Sequence, residues 1–185
     1  MMGVSKGLET IEYYDRLSES YDELYGDEQE AKYSLILERI TPRGIVLDLG
    51  CGTGLLFRKL CQLPDVKRIV GVDFSLGMLS KAKQKKCFQV DLIAADIRLL
   101  PLREKSVDEA FSITVIDSLE FLRKCLSEIK GILRGSRFTF SVCKAVKLSG
   151  EKARQTLREK GFSNLRLMSE EEIKDVVYFA TRNDS

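Results

Sequence analysis

From residue 44 to the end of the chain, short apolar runs alternate with longer segments in which apolar positions recur every three or four residues. The first pattern is typical of buried strands and the second of helices with one buried face. The predicted strands are 45–49, 67–72, 88–94, 108–114, 137–143, 163–168 and 175–181. The predicted helices are 54–62, 76–86, 118–133 and 150–160. Such alternation predicts a parallel sheet with helices on both faces.

The last two strands depart from this alternation. Only Ser169 to Lys174 separate them, too few residues for a parallel crossover, so they should form an antiparallel hairpin. Ser149 as N-cap and Gly161 as C′ residue delimit the helix before them. The expected fold class is α/β: a three-layer sandwich around a seven-stranded, mostly parallel sheet with an antiparallel last strand.

The first part of the chain shows only helical periodicity. Its apolar positions, three or four residues apart, are Leu8, Ile11, Tyr14, Leu17, Tyr21 and Leu24. Asp27 and Glu30 have the spacing of a capping box, which predicts a second helix that ends at Thr41-Pro42. We expect residues 1–43 to form a helical cap segment on a core of residues 44–185, in one domain overall.

The segment 46–54, Val-Leu-Asp-Leu-Gly-Cys-Gly-Thr-Gly, runs from the first predicted strand into three alternating glycines. Glycines at such a turn let the backbone approach a ligand, as in nucleotide-binding loops. The dinucleotide fingerprint G-x-G-x-x-G would require glycine where Leu55 or Phe57 stands. What remains is the pattern Asp-x-Gly-x-Gly-x-Gly, with Asp48 inside the strand.

This pattern resembles the first motif of the class I S-adenosylmethionine (SAM) dependent methyltransferases, and later motifs of that family follow in register. Ile69 to Asp73 resembles the second strand with its terminal acid, 23 residues beyond Gly50, and Asp96 ends a third apolar run in the same way. Other stretches that resemble family motifs are 99–102, 106–112 and 133–138. The mild departures in them are Leu102, Val107 and Ser136. The resemblance covers nearly the whole chain.

The resemblance implies SAM as the cofactor, with the N-terminal helices over its site. The residues implied in cofactor binding are Asp48, Gly50, Cys51, Gly52, Gly54, Asp73, Phe74, Met78, Asp96, Ile97, Ser112, Tyr14 and Tyr21. A carboxylate at the end of the second strand can accept both ribose hydroxyls, which is the role we expect for Asp73. In the family, the acid at the end of the third strand faces the adenine amino group, and a tyrosine of the first helices closes over the methionine end.

Structural roles compete with these assignments. Asp48 can hold the loop by accepting hydrogen bonds from nearby amides, and Asp73 can be the N-cap of the next helix. Asp96 can likewise cap the short turn that follows it. The residues whose ordinary role is packing in the core are Phe74, Met78, Tyr14 and Tyr21.

Composition excludes several classes of site. The chain has no histidine, and its five cysteines form no C-x-x-C pair. We therefore expect no metal site, and the odd cysteine count favours reduced thiols over a disulfide framework. No run approaches the ~20 apolar residues of a membrane span, and the N-terminus lacks the apolar stretch of a secretory signal. These features predict a cytoplasmic protein without membrane contact.

The missing histidine also bears on the methyl acceptor. Histidine is the base commonly used to deprotonate an oxygen acceptor, so acceptors that need no strong base, such as a ring nitrogen, are favoured. The catalytic candidates near the end of the fourth strand are Ser112, Thr114 and Asp117. This region lacks the [N/D]-P-P-[Y/F] signature of exocyclic-amine methylation, and oxygen chemistry through Asp117 or a tyrosine stays open.

Only Lys144 to Leu148 separate the fifth strand from the following helix, where small-molecule members of the family often carry an inserted cap. The acceptor face should therefore be open, which favours a macromolecular acceptor, an RNA or a protein of the translation machinery. The alternatives are a small-molecule methyltransferase and a SAM-binding protein without catalysis. The intact motifs disfavour a different nucleotide-dependent enzyme, such as an aminopropyltransferase or a dehydrogenase.

Two further features concern partners. Residues 1–31 carry a net charge of −7 and the remainder +9, which indicates either two solvated helix faces or a basic body that approaches RNA. In the family sheet order the third strand, here 87–94, lies at an edge and can accept a strand from another chain. Several RNA- and protein-modifying members depend on a small zinc-containing activator subunit that docks in this way. The competing interpretation is that Asp91 and neighbouring lysines protect a free edge.

Overall fold

The computed structural model describes residues 2–146 and 148–182, with side chains from residue 8 onward. In these ranges the helices are α1 (Met2–Leu17), α2 (Tyr21–Leu37), α3 (Phe57–Leu60), α4 (Leu76–Lys85), α5 (Leu119–Ile132) and α6 (Gly150–Glu159). The strands are β1 (Gly44–Leu49), β2 (Val66–Asp73), β3 (Val90–Ala94), β4 (Val107–Ser112), β5 (Leu133–Cys143), β6 (Phe162–Met168) and β7 (Asp175–Arg182). None of the described helices combines the length and the apolar character that a bilayer crossing requires.

The strands form one sheet in the order β3-β2-β1-β4-β5-β7-β6. Neighbours are parallel except at β7, which runs antiparallel to both β5 and β6. The seven-stranded, mostly parallel sheet and the terminal hairpin predicted from the pattern are therefore confirmed. The order also places β3 and β6 at the two free edges of the sheet.

Helices cover both faces of the sheet, because side chains alternate along each strand and supply apolar groups to both. On β1, Leu47 and Leu49 pack in the cluster of α5 and α6, whereas Val46 packs in the cluster of α2, α3 and α4. Each fully buried Leu or Val contributes about 1.5–3 kcal/mol through removal of apolar surface from water. The three-layer sandwich is confirmed. The carboxyl ends of β2, β1 and β4 lie side by side.

The N-terminal helices break at a different place from the one predicted. The break lies at 18–20, so the capping box predicted at Asp27 is wrong and Asp27 lies inside α2. It has a local cause, because the Ser18 hydroxyl donates to the Asp15 carbonyl at 2.7 Å and so competes with helical hydrogen bonding. Helix α2 also ends early, at Leu37.

Two elements of the core are shorter than predicted, and a residue with left-handed backbone conformation lies next to each. The helix predicted over 54–62 is the single turn α3, which follows Gly54 at φ +77°. Strand β4 ends at Ser112 instead of 114, because Thr114 has φ +62°. A residue with positive φ continues neither a strand nor a helix.

The cysteines contradict the expectation of reduced thiols throughout. Cys61, after α3, and Cys87, before β3, form a disulfide, with 6.5 Å between their Cα atoms. Cys51, Cys125 and Cys143 are free thiols. The paired cysteines are 26 residues apart and meet only through tertiary structure, so spacing alone could not predict them.

The acidic N-terminal helices lie against lysines of the core. The ion pairs that join them are Glu19–Lys81, Asp22–Lys85 and Glu30–Lys59, with N···O distances of 2.6, 2.5 and 2.7 Å. Pairs with solvent access contribute about 0–1 kcal/mol each, so their main effect is to place the helices. Part of the positive charge of the core is balanced within the chain, which weakens the case for a basic body that attracts RNA.

Two glycines provide a matched test of the packing around β5. A Cβ at Gly135 would lie 1.9 Å from the Asp108 carbonyl oxygen, whereas a Cβ at Gly131, in α5, would meet nothing within 4 Å. Gly135→Ala should lower the free energy of unfolding by about 1–3 kcal/mol or more. Gly131→Ala should raise it by about 0.5–1 kcal/mol, because alanine favours a helix. Urea unfolding followed by circular dichroism measures both, and equal shifts would contradict this packing.

Candidate cofactor and acceptor site

The loop after β1 combines tight packing with one open position. Gly50, Gly52 and Gly54 have φ of +70°, +53° and +77°, a conformation that side chains rarely adopt. A Cβ at Gly50 would lie 2.5 Å from a methyl group of Val115, and one at Gly54 would lie 2.6 Å from the Phe57 ring. A Cβ at Gly52 would meet nothing within 4 Å, so at this position the backbone faces open space. The predicted close approach of a ligand therefore fits best at Gly52.

Asp73, at the end of β2, holds this loop. Its Oδ2 accepts a hydrogen bond from the Gly52 amide at 2.9 Å, and its Oδ1 accepts one from the Ser75 amide at 2.9 Å. The interpretation of Asp73 as a helix N-cap is wrong, because Ser75 occupies that position and accepts from the Met78 amide at 3.1 Å. The carboxylate therefore joins the glycine loop to the start of α4.

Asp48 lies in β1 beside this carboxylate. Burial, and then the charge of Asp73, raise the pKa of Asp48 to about 7. Burial likewise raises the pKa of Asp73 and that of the Cys51 thiol, which therefore stays protonated near neutral pH. Two carboxylates in a poorly solvated place favour a cationic ligand, and the sulfonium and ammonium groups of SAM are cations.

Aromatic side chains of α1 and α2 close the region above β2. The Tyr14 and Phe74 rings meet edge to face, with centroids 5.7 Å apart and planes at 76°. Burial raises the pKa of both Tyr14 and Tyr21, and the neighbouring Asp73 charge adds to each shift, so all these groups lie close together. The expected tyrosine position near the methionine end is therefore consistent with the geometry and stays a prediction.

Other predicted cofactor residues have structural partners. Both oxygens of Asp96 bind the Arg98 guanidinium, at 2.5–3.0 Å, and its Oδ1 also accepts from the Arg98 amide at 2.8 Å. These Arg98 hydrogen bonds lower the pKa of Asp96, which caps its own turn as the competing interpretation held. Met78 and Ile97 are buried in the protein. Contact of these three residues with the cofactor stays a prediction.

The structure adds residues that sequence reasoning missed. Asp15 of α1 accepts a hydrogen bond from the Ser75 hydroxyl at 2.5 Å. Asp22 of α2 accepts one from the Thr53 hydroxyl at 2.5 Å and pairs with Lys85, which also donates to the Thr53 carbonyl at 2.8 Å. These acids resemble the solvated face of a surface helix, so their spacing contained no signal.

The three catalytic candidates have different surroundings at the end of β4. The Ser112 hydroxyl is buried and has no hydrogen-bond partner among the described residues. Asp117 is exposed. The pKa of Tyr14 is raised mainly by burial, then by Tyr13, Asp73 and Tyr25, and the charge of Asp117 makes the smallest contribution. Thr114 has the left-handed conformation described above, which costs a residue of this kind about 1–3 kcal/mol.

A buried polar network surrounds the Thr114 hydroxyl. It accepts from Lys32 Nζ at 2.7 Å and Gln29 Nε2 at 3.3 Å, and donates to Asp175 Oδ2 at 2.9 Å. This hydroxyl is therefore engaged and is not a free proton acceptor. Lys32 has no solvent-exposed side-chain surface and pairs with Asp175 at 3.1 Å, which the charge pattern of α2 did not suggest.

Comparison with known proteins places these features in one family. A family model described as a methyltransferase domain matches residues 47–139, half of the chain. The chain is 36% identical over 138 residues to an uncharacterized protein of Methanocaldococcus jannaschii, covering 71% of this chain and 50% of that protein. It is 33% identical over 122 residues to a malonyl-[acyl-carrier protein] O-methyltransferase of Yersinia pestis, covering 65% and 45%. The chain thus spans about half the length of these curated relatives.

A solved structure with the same fold is a complex between the Haloferax volcanii Trm112 methyltransferase activator and a methyltransferase. The TM-score is 0.79, with 17% identity, and the match covers 92% of this chain and 98% of that chain. At this identity the similarity establishes the fold.

Removal of the Asp73 carboxylate tests the cofactor site. Asp73→Ala should weaken binding of SAM and of its product S-adenosylhomocysteine (SAH) about ten- to a hundredfold, because bonds to a charged acceptor contribute ~1.5–3 kcal/mol. Asp91→Ala is the control, because that carboxylate lies on β3 and pairs with Arg68 at 3.2 Å. Isothermal titration calorimetry should show a loss for the first variant only. An affinity of Asp73→Ala equal to that of the wild type would contradict the assignment of Asp73 to the cofactor site.

The raised pKa of Asp48 gives stability a pH dependence with a defined sign. The folded state holds a proton on Asp48 up to about pH 7, whereas the unfolded chain loses it near the ordinary carboxyl pKa of about 4. This group therefore destabilises the fold as pH rises between those values. Asp48→Asn should melt at a higher temperature than the wild type at pH 8, by a margin that shrinks toward pH 5. Scanning fluorimetry measures both melting temperatures across this pH range. A difference between variant and wild type that does not change with pH would contradict the prediction.

Proposed function

Because this chain belongs to the methyltransferase domain family of class I, SAM-dependent enzymes, we propose that it transfers a methyl group to a macromolecular acceptor, an RNA or a protein of the translation machinery. The observation that carries this proposal is the short connection between β5 and α6, residues 144–149. It follows the end of β5, where the Ser141 hydroxyl accepts a hydrogen bond from the Thr114 amide. A connection of this length supplies no enclosing cap on the acceptor side. The exposed Thr114 and Asp117 then border open space.

The residues of the chain act in this proposal by binding and orienting. SAM supplies a methyl group that its sulfonium already activates. Asp73 and the Gly52 backbone hold the nucleoside part, Asp48 favours the positive charge, and Tyr14 or Tyr21 covers the methionine end. Orientation of this kind lowers a barrier by up to about 7–11 kcal/mol without a covalent catalyst. A strong base is then unnecessary for an acceptor such as a ring nitrogen.

A small activator subunit at the β3 edge belongs to the same proposal. Strand β3 is an outer strand of the sheet, and the adjoining Phe88 is 92% exposed. The Ala95 amide donates to the backbone carbonyl of Asp73 in β2 at 3.0 Å, so by alternation the amides of Leu92 and Ala94 point away from β2. An aromatic side chain beside free strand donors suits pairing with a strand of another protein. The fold shared with the activator-bound methyltransferase of the Haloferax volcanii complex supports this arrangement.

A second candidate is methylation of a carboxyl group on a small or carrier-bound substrate. The similarity to a malonyl-[acyl-carrier protein] O-methyltransferase over 65% of the chain favours it. Such an acceptor is ionised at neutral pH and also needs no base.

The acceptor can be found by labelling. Extract from cells that lack the gene is incubated with the purified protein and SAM carrying a tritiated methyl group, and is then separated into RNA, protein and small molecules. We expect label in RNA or in proteins other than acyl carriers. Label confined to small molecules or acyl carriers would favour the second candidate, and a protein that binds SAH but labels no fraction would be a SAM-binding protein without catalysis.

The two edges of the sheet allow a matched test of the partner. Phe88→Asp should abolish capture of a stoichiometric partner from the source organism, because a charge replaces the exposed ring beside the free strand. Leu167→Asp, on the opposite edge strand β6 and 46% exposed, should leave capture intact. SAH titration confirms that both variants keep the cofactor site. Equal capture by both variants, or none by the wild type, would contradict a partner at β3.

A further inference from the structure

The turn after β4 has an unfavourable backbone conformation at an important place. Thr114 and Lys105 are the non-glycine residues with positive φ in the described ranges, and Thr114 is the β-branched one. Branching at Cβ makes this conformation a genuine outlier, and such outliers persist only where surrounding structure enforces them. The turn also contacts the cofactor loop, because the Val115 side chain occupies the space above Gly50.

Polar groups of three other elements hold Thr114. Its amide donates to the Ser141 hydroxyl at 2.8 Å, and that hydroxyl in turn bonds Asp175. Its own hydroxyl bonds Asp175, Lys32 and Gln29, as described above. The backbone and the side chain of one residue are thus tied to α2, β5 and β7 together.

The centre of this network is a buried ion pair. The side chains of Lys32 and Asp175 have 0% and 1% exposure, and Lys32 also lies 3.5 Å from the Glu28 carboxylate. Burial of two charges costs so much desolvation that apolar residues of similar volume often stabilise a fold as well or better. The pair is therefore weak evidence for stability. In some proteins buried polar groups of this kind instead specify one arrangement of the structure.

We propose, building on the function proposed above, that Lys32 and Asp175 are positioning residues for methyl transfer, which hold Thr114 in its left-handed conformation. The turn 113–115 then forms a rigid wall between the glycine loop and the acceptor. In this arrangement the Thr114 hydroxyl is a point of attachment, and the exposed part of the residue borders the acceptor.

Two substitutions at Thr114 separate this role from simple packing. Thr114→Val keeps the shape and the backbone strain but removes the hydroxyl that the network holds. Thr114→Gly removes the side chain but adopts φ +62° without strain. Packing alone predicts that valine is tolerated better than glycine. Positioning predicts the opposite order.

The experiment measures initial rates of methyl incorporation from tritiated SAM into extract of cells that lack the gene. Thr114→Val should slow transfer about ten- to a hundredfold, the effect of a small misplacement, and Thr114→Gly should be clearly faster than Thr114→Val. Joint replacement of Lys32→Met and Asp175→Asn, which avoids a lone buried charge, should also slow transfer, and added Thr114→Gly should restore part of the rate. SAH affinity should change little in every variant.

Hydrogen–deuterium exchange provides a readout that needs no acceptor. Amides of the turn 113–115 should exchange faster in Thr114→Val and in the Lys32/Asp175 double variant than in the wild type and in Thr114→Gly. The positioning role would be overturned if Thr114→Val transferred methyl groups as fast as Thr114→Gly or faster, or if its turn exchanged no faster. The proposed function would survive that result, because the wild type would still transfer methyl groups. A wild type that binds SAH and labels nothing would overturn the proposed function, and this inference with it.

Discussion

The two hydrogen bonds of the Asp73 carboxylate fix the loops at the carboxyl end of the sheet. One oxygen binds the Gly52 amide and the other the Ser75 amide, so a single side chain sets the glycine loop against the start of α4. Hydrogen bonds to a charged group contribute about 1.5–3 kcal/mol each, more than the exposed ion pairs around them. An acid at this strand end thus organises the glycine loop, in addition to the ligand-binding role that we propose for it.

The N-terminal helices complete that arrangement instead of merely covering it. Asp15 of α1 bonds the same Ser75 that Asp73 bonds through its amide, and Asp22 of α2 bonds Thr53 within the glycine loop. Docking of the helices and the conformation of the loop therefore depend on the same residues. A ligand that orders one should order the other, and the coupling is reciprocal.

The fold could be predicted from the sequence because its determinants are local. Strand periodicity, the glycine spacing and the short link before β7 act within a few residues of the features that they specify. The misses depend on contacts distant in the chain: Lys32 looks like a solvated partner of Glu28 one helical turn away, and only β7 brings Asp175 to it. The Asp96–Arg98 pair is a different case, because it lies within a three-residue segment and was detectable as a turn cap.

The Cys61–Cys87 disulfide closes a loop of 26 residues that contains β2, Asp73 and all of α4. In the chain-entropy model a loop of that length restricts the unfolded chain by about 3–4 kcal/mol. A thiol reductant in the buffer would remove that restraint from the segment on which the cofactor site is built. Oxidised and reduced preparations should therefore be treated as two different samples whenever ligand affinities are compared.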